Sequence, residues 1–131
     1  NMKLFSQGQY VAAMEQSSQA EVISKVLYPS DEHDEGKLLR LTQQYFLCSA
    51  SCQSIIRDHM AVYGNLDNFA DKVAIHINDT HPALCIPELM RIFIDDYHFS
   101  WDKAWDMVTR TVSYTNHTVM PEAGCCRRAW R

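Results

Sequence analysis

The sequence predicts an α/β fold: a helix-rich, incomplete Rossmann-like piece with two short parallel strands. Three observations predict it. Apolar residues recur at steps of three and four through most of the chain, the period of a helix. Val73-Ala74-Ile75-His76-Ile77 is a short, almost continuous apolar run, the mark of a strand in a covered parallel sheet. A second strand, Thr111 to Tyr114, follows two helical segments, so the order is β-α-α-β, a Rossmann-like crossover with an extra helix. Two strands leave their outer edges unpaired and cannot cover the apolar faces of the helices. The chain therefore reads as part of a larger fold.

In order along the chain, a first helix is predicted from Tyr10 to Val26, with Tyr10, Ala13, Met14, Ile23 and Leu27 at its apolar positions. It ends near Tyr28-Pro29, where proline disfavours a helical predecessor. Ser30 to Gly36 carries four acidic residues and reads as an exposed loop. A long helix follows from Lys37 to Tyr63, roughly 40 Å at the usual rise per residue. Its repeat is Leu38, Leu41, Tyr45, Cys48, Cys52, Ile55, Ile56 and His59, and Gly64-Asn65 stops it. After the first strand, Pro87 is expected to begin a buried helix, since proline suits the first helical position. Leu89, Met90, Ile92, Phe93 and Ile94 make that helix apolar nearly all round. Ser100 then caps a further helix with Asp102 in its first turn. Trp101, Ala104, Trp105, Val108 and Val112 are its expected buried stripe.

Composition excludes several function classes. With 131 residues, 47% of them hydrophobic, the chain is the size of one ordinary domain and can build a core. A net charge of -4, with basic residues clustered only at Arg127, Arg128 and Arg131, argues against nucleic-acid binding. No apolar run is long enough to span a bilayer, so no membrane role is expected. The opening Asn1-Met2-Lys3 lacks a hydrophobic signal region, so nothing marks the chain for export. Asn78 and Asn116 begin N-x-Thr triplets, a glycosylation pattern that carries little weight without export. Five cysteines, with Cys48, Cys52 and Cys85 in apolar segments, read as buried free thiols of a reducing, cytoplasmic compartment. Cys48 and Cys52 lie one helical turn apart without matching ligands nearby in the sequence, so core packing is favoured over zinc. His59 and His98 read as surface or helix-end residues, and His76 as a packed or hydrogen-bonded strand residue.

In open α/β sheets, ligands bind beyond the carboxyl ends of the strands. Asp79 and His81 follow the first strand; Asn116 and His117 follow the second. Parallel neighbours would bring these loops to one rim, whose carboxylate, imidazole and amide groups suit a polyhydroxylated ligand such as a sugar. A metal-dependent hydrolase using His76, Asp79, His81 and His117 is the rival enzyme class. Strand alternation turns His76 away from the others and weakens it.

Five blocks carry a resemblance: Val26-Leu27-Tyr28-Pro29, Lys37-Leu38-Leu39-Arg40-Leu41, Asn78-Asp79-Thr80-His81-Pro82-Ala83, Ile86-Pro87-Glu88-Leu89-Met90-Arg91 and Tyr114-Thr115-Asn116-His117-Thr118. In this order and spacing the chain resembles the glycogen, starch and maltodextrin phosphorylases from about Leu4 to Ala123. It resembles an internal fragment of their N-terminal domain, in a glycosyltransferase-B type fold. The resemblance implies a glycosyltransferase that cleaves terminal α-1,4-linked glucose from a glucan with inorganic phosphate, releasing glucose 1-phosphate. It implies pyridoxal phosphate as cofactor of the full-length parent, its lysine lying outside this chain, and a homodimeric parent. The fragment alone is expected to be inactive, and a non-catalytic glucan-binding remnant is the alternative. The cofactor's phosphate also accounts for the lack of the two catalytic carboxylates that retaining glycosidases need.

By position, the resemblance makes His117 a hydrogen-bond partner of the glucose at the cleavage subsite, with Asp79, His81 and Asn116 around that sugar. Asp31 and Glu32 match the family's gate loop, Arg40 a residue linked to that gate, and Arg57 an effector-phosphate position of regulated animal members. Two departures stand out. The gate reads Ser30-Asp31-Glu32-His33 where animal members often have flanking asparagines and an aromatic. Asp58 occupies the place of a second arginine, which argues against AMP control. Residues 1–123 are expected to be phosphorylase sequence and 124–131 a divergent tail produced by frameshift or truncation, because Gly124-Cys125-Cys126-Arg127 leaves the family pattern.

Overall fold

The computed structural model describes residues 2–30 and 32–117. Asp31, Thr118 and the expected boundary after Ala123, with the 124–131 tail, lie outside the described residues. The chain divides into two compact units, Asn1–Phe46 and Leu47–Arg131.

The first unit holds α1 (Met2–Ser6), α2 (Tyr10–Lys25) and the start of α3 (Asp34–Tyr63). Gly8, at φ 73, turns the chain between α1 and α2, a left-handed conformation that glycine adopts without steric cost. The extent of α2 agrees with the periodicity, but among its residues only Ala13 is buried; Tyr10 and Met14 are exposed. The Gln43 side chain donates to the carbonyls of Ile23 (3.1 Å) and Val26 (2.6 Å), satisfying acceptors that a helix end leaves free. Helix α3 starts three residues before the expected Lys37 and takes in Asp34, Glu35 and Gly36. Carboxylates too polar for a core are favourable at a helix N-terminus, so the acidic stretch is partly helix rather than wholly loop.

In the second unit, α3 runs on to Tyr63 and is closed by Gly64, whose N–H donates to the Met60 carbonyl at φ 72. Then come α4 (Phe69–Lys72), β1 (Ile75–Asn78), α5 (Cys85–Arg91), a π-helical turn (Ile92–Asp96), α6 (Trp101–Thr111) and β2 (Val112–Thr115). The strands pair in parallel, Ile75 opposite Val112 and Asn78 opposite Thr115, each slightly later in sequence than expected. Phe69, Ile77, Leu89, Phe93, Ala104 and Val108 form the centre of the core, with Phe69 and Phe93 packed edge to face at 5.4 Å. His76 lies on an exposed face, so β1 is covered on one side rather than on both.

Three further expectations need correction. Pro87 is the third residue of α5, not the first; it is still within the turn whose N–H groups lack helical acceptors, so its missing donor costs nothing there. Of the expected stripe on α6, Ala104 and Val108 are buried, but Trp101 and Trp105 are 65% and 37% exposed, and Met107 and Thr111 complete the buried face. Val112, expected on that stripe, has left the helix and opens β2. His59 is buried, 5% exposed, its Nε2 hydrogen-bonded with Asn68 Oδ1 at 3.1 Å and its ring edge-on to Phe69. A single polar partner is enough to bring an imidazole into an aromatic core.

Candidate functional site

The parallel pairing brings the residues that follow β1 and β2 to one rim. Asp79 extends the ladder by one step, its N–H donating to the Thr115 carbonyl at 2.8 Å. Immediately there its backbone turns left-handed, φ 66, a conformation aspartate tolerates better than most residues. The turn folds the carboxylate back over the strand ends. It accepts from the Thr80 N–H at 2.6 Å and from the His117 N–H. These hydrogen bonds, with the nearby positive charge available to His81 and His117, hold the Asp79 carboxyl below its ordinary range, against the opposing effect of burial. Asp79 is 9% exposed, whereas His81 and His117 are exposed. The His117 ring is hydrogen-bonded through Nε2 to Asn78 Oδ1. Asp79, His81 and His117 thus come together as the sequence predicts.

Asn116 faces elsewhere as well. It lines a cavity of about 750 Å³ beside β2, together with Ile77, Thr80, Ala83, Trp105 and Val108. That cavity is largely apolar, though Thr80, Thr109, Ser113, Thr115 and Asn116 place hydroxyl and amide groups along it. Asp79, His81 and His117 are not among its lining residues.

The remaining expected site residues fall in both units. Glu32 is exposed in the first unit, its N–H directed to Ser30 Oγ at 3.4 Å, and Arg40 is half-buried on α3. Arg57 is exposed in the second unit and donates to Asp58 Oδ1 at 3.2 Å and Ser54 Oγ at 3.2 Å. Its charge is thus paired with the residue standing where a second arginine was looked for. His76 bridges Ser113 Oγ (2.8 Å) and Thr115 Oγ1 (2.6 Å) on the exposed face of the sheet. Among the described residues no group of three or more His, Cys, Asp or Glu side chains is arranged to hold a metal ion.

Three thiols pack beneath the rim. Cys52 and Cys85 approach at 3.1 Å between sulfurs, and Cys48 Sγ donates to the Pro82 carbonyl at 3.5 Å. The hydrogen bond to Cys85, then burial, pushes the Cys52 thiol up, while the same bond draws the Cys85 thiol down.

Sequence reasoning missed Asn78 and Glu88 as participants. Asn78 stood out in the sequence only as the start of an N-x-Thr triplet and of one family block. Glu88 is buried, accepting from Ser49 Oγ at 2.7 Å and from Arg91 Nε and Nη2 at 3.0 Å each, which ties α5 to α3. The i,i+3 spacing of Glu88 and Arg91 was legible, but Ser49 lies too far away in sequence to be found.

Known proteins match the chain over most of its length. The family model for carbohydrate phosphorylases matches residues 1–126. Glycogen phosphorylase of Haemophilus influenzae is 54% identical over 123 residues, covering 94% of this chain and 15% of that protein. The α-glucan phosphorylase H isozyme of Solanum tuberosum is 53% identical over 128 residues, with 94% and 15% covered. The muscle form of human glycogen phosphorylase is 53% identical over 131 residues, with 94% and 16% covered. The chain therefore spans about 15% of the length of these relatives. With a family match over nearly all of its residues, the chain belongs to the carbohydrate phosphorylase family.

Proposed function

We propose that this chain is an internal part of an α-glucan phosphorylase, a cytoplasmic homodimer that cleaves terminal α-1,4-glucosidic bonds with inorganic phosphate to give glucose 1-phosphate. The observation that carries the reading is the rim: the ends of β1 and β2 are locked together so that Asp79, His81 and His117 share one surface. In this reading His117 hydrogen-bonds the glucose, Asp79, His81 and Asn116 surround it, and Asp31 and Glu32 belong to a gate linked to Arg40. Arg57, already paired with Asp58, supports little effector binding. The parallel register and the helical crossover between β1 and β2 support a Rossmann-type sheet within a glycosyltransferase-B fold.

Pyridoxal phosphate belongs to the proposed longer protein. All five lysines of this chain are exposed and none lines the cavity, whereas an imine-forming lysine needs a desolvated setting. The residues present do not fit that group, and the chain's contribution is to bind and orient the sugar.

The test is a chimera in which residues 1–117 replace the matching segment of the Haemophilus influenzae glycogen phosphorylase. Release of glucose 1-phosphate from a glucan at a rate near the parent's supports the reading. A folded chimera, with circular dichroism like the parent's, that binds glucan without turnover would leave a binding remnant.

A further inference from the structure

We propose that Asn78 and Asp79 form a two-point clamp on His117, with Asn78 a positioning residue that sets which ring nitrogen carries the proton. The inference rests on the reading of His117 as the sugar-facing residue and adds how that residue is prepared. The Asp79 carboxylate grips the His117 backbone N–H, and the Asn78 side chain grips its ring. An amide oxygen can only accept, so Nε2 must carry the hydrogen. In a neutral imidazole Nδ1 is then left as an acceptor, open to a hydroxyl donor.

The clamp uses a neutral residue at the ring and a charged one at the backbone. Asn78 fixes the tautomer without favouring the imidazolium, which a carboxylate in its place would do. The Asp79 charge is engaged by the Thr80 and His117 N–H groups. Among the described residues the titratable groups facing this rim are Asp79 and His81, while the Thr115 carbonyl is taken by the Asp79 N–H. Both gripping residues sit at the end of β1, and Asn78 is in register with Thr115, two residues before His117. The geometry is therefore fixed by the sheet.

The first measurement is nitrogen-15 NMR of the 131-residue chain labelled at histidine. His117 should show a single tautomer protonated at Nε2, and Asn78→Ala should average it while leaving His59 unchanged. A His117 ring that averages between tautomers in the unsubstituted chain overturns the clamp. The second measurement uses the chimera, holoenzyme included. Asn78→Asp should raise KM for glucose 1-phosphate about tenfold at the acid end of the profile, the size of one hydrogen bond, and much less at alkaline pH. Asn78→Ala should raise KM similarly without that pH dependence, with kcat less affected in both. An equal effect of both variants at every pH would make Asn78 merely structural and overturn the tautomer role. A chimera that is inactive without substitution fails the phosphorylase reading instead, and the NMR result stands apart from it.

Discussion

Asp79 shows how one residue can hold a surface together. Its left-handed backbone aims a carboxylate back across two strand ends, and two of its hydrogen bonds, with Thr115 and His117, join segments far apart in sequence. Because its folded pKa is depressed, the group adds stability that is present above the ordinary aspartate range and is lost as pH falls through the lower folded value. Asp79→Asn should therefore be destabilised at neutral pH, and the difference should vanish in strong acid, as read from urea midpoints along a pH series. Asp79→Gly separates the two contributions, since it keeps the backbone angle and removes the charge. The position of Asp79 at the rim was legible because strand ends carry ligands in this fold class. Its grip on His117 was not, since it depends on a φ value and a strand pairing that no local pattern encodes. The open outer face of β1 was missed for a related reason, although His76 is hydrogen-bonded as expected: whether a strand has a second cover is a property of its neighbours.

Elements with strong terminal chemistry were legible, and elements set by packing were not. Ser100 caps α6 as its position predicts, its hydroxyl accepting from the Lys103 N–H at 3.3 Å. Ser100→Ala should cost about 1 kcal/mol in denaturant unfolding. By contrast α4 is four residues long, and the π-helical turn departs from the α period where Ile92 and Phe93 enter the core. On α6 Ala104 and Val108 are buried as expected, but the two tryptophans are not. A small residue such as Ala104 lets packed elements approach, and the bulky indoles lie at the edge of that contact. Phe93→Ala should destabilise the second unit by about 4 kcal/mol, and Phe69→Ala by a similar amount. Glu88→Ala leaves Arg91 and Ser49 without their shared acceptor and should cost about 3 kcal/mol, less if water reaches the half-exposed guanidinium. Thermal melts of the three variants would test this order.

At the scale of the whole molecule, the two-stranded sheet and its helices leave apolar surface uncovered, as the strand count foretold. Leu38, Leu41, Tyr45, Phe46 and Leu47 on α3 are exposed, as are Trp101 and Trp105 on α6. The purified chain should bind an apolar dye and sediment as a concentration-dependent mixture; a monodisperse, dye-silent monomer would contradict this. The parallel pairing has a further consequence, in time rather than space. Joining β1 to β2 requires the segment from Asp79 to Thr111 to close on itself, an entropic cost of about 3 kcal/mol before any strand contact offsets it. Local bonds such as Gly64 N–H to the Met60 carbonyl carry no such delay, whereas the Asp79 N–H bond to Thr115 forms only with closure. In pulse-labelling hydrogen exchange the Asp79 amide should become protected after the Gly64 amide. The rim would then appear after the local helical structure, and its assembly would report that the crossover has folded.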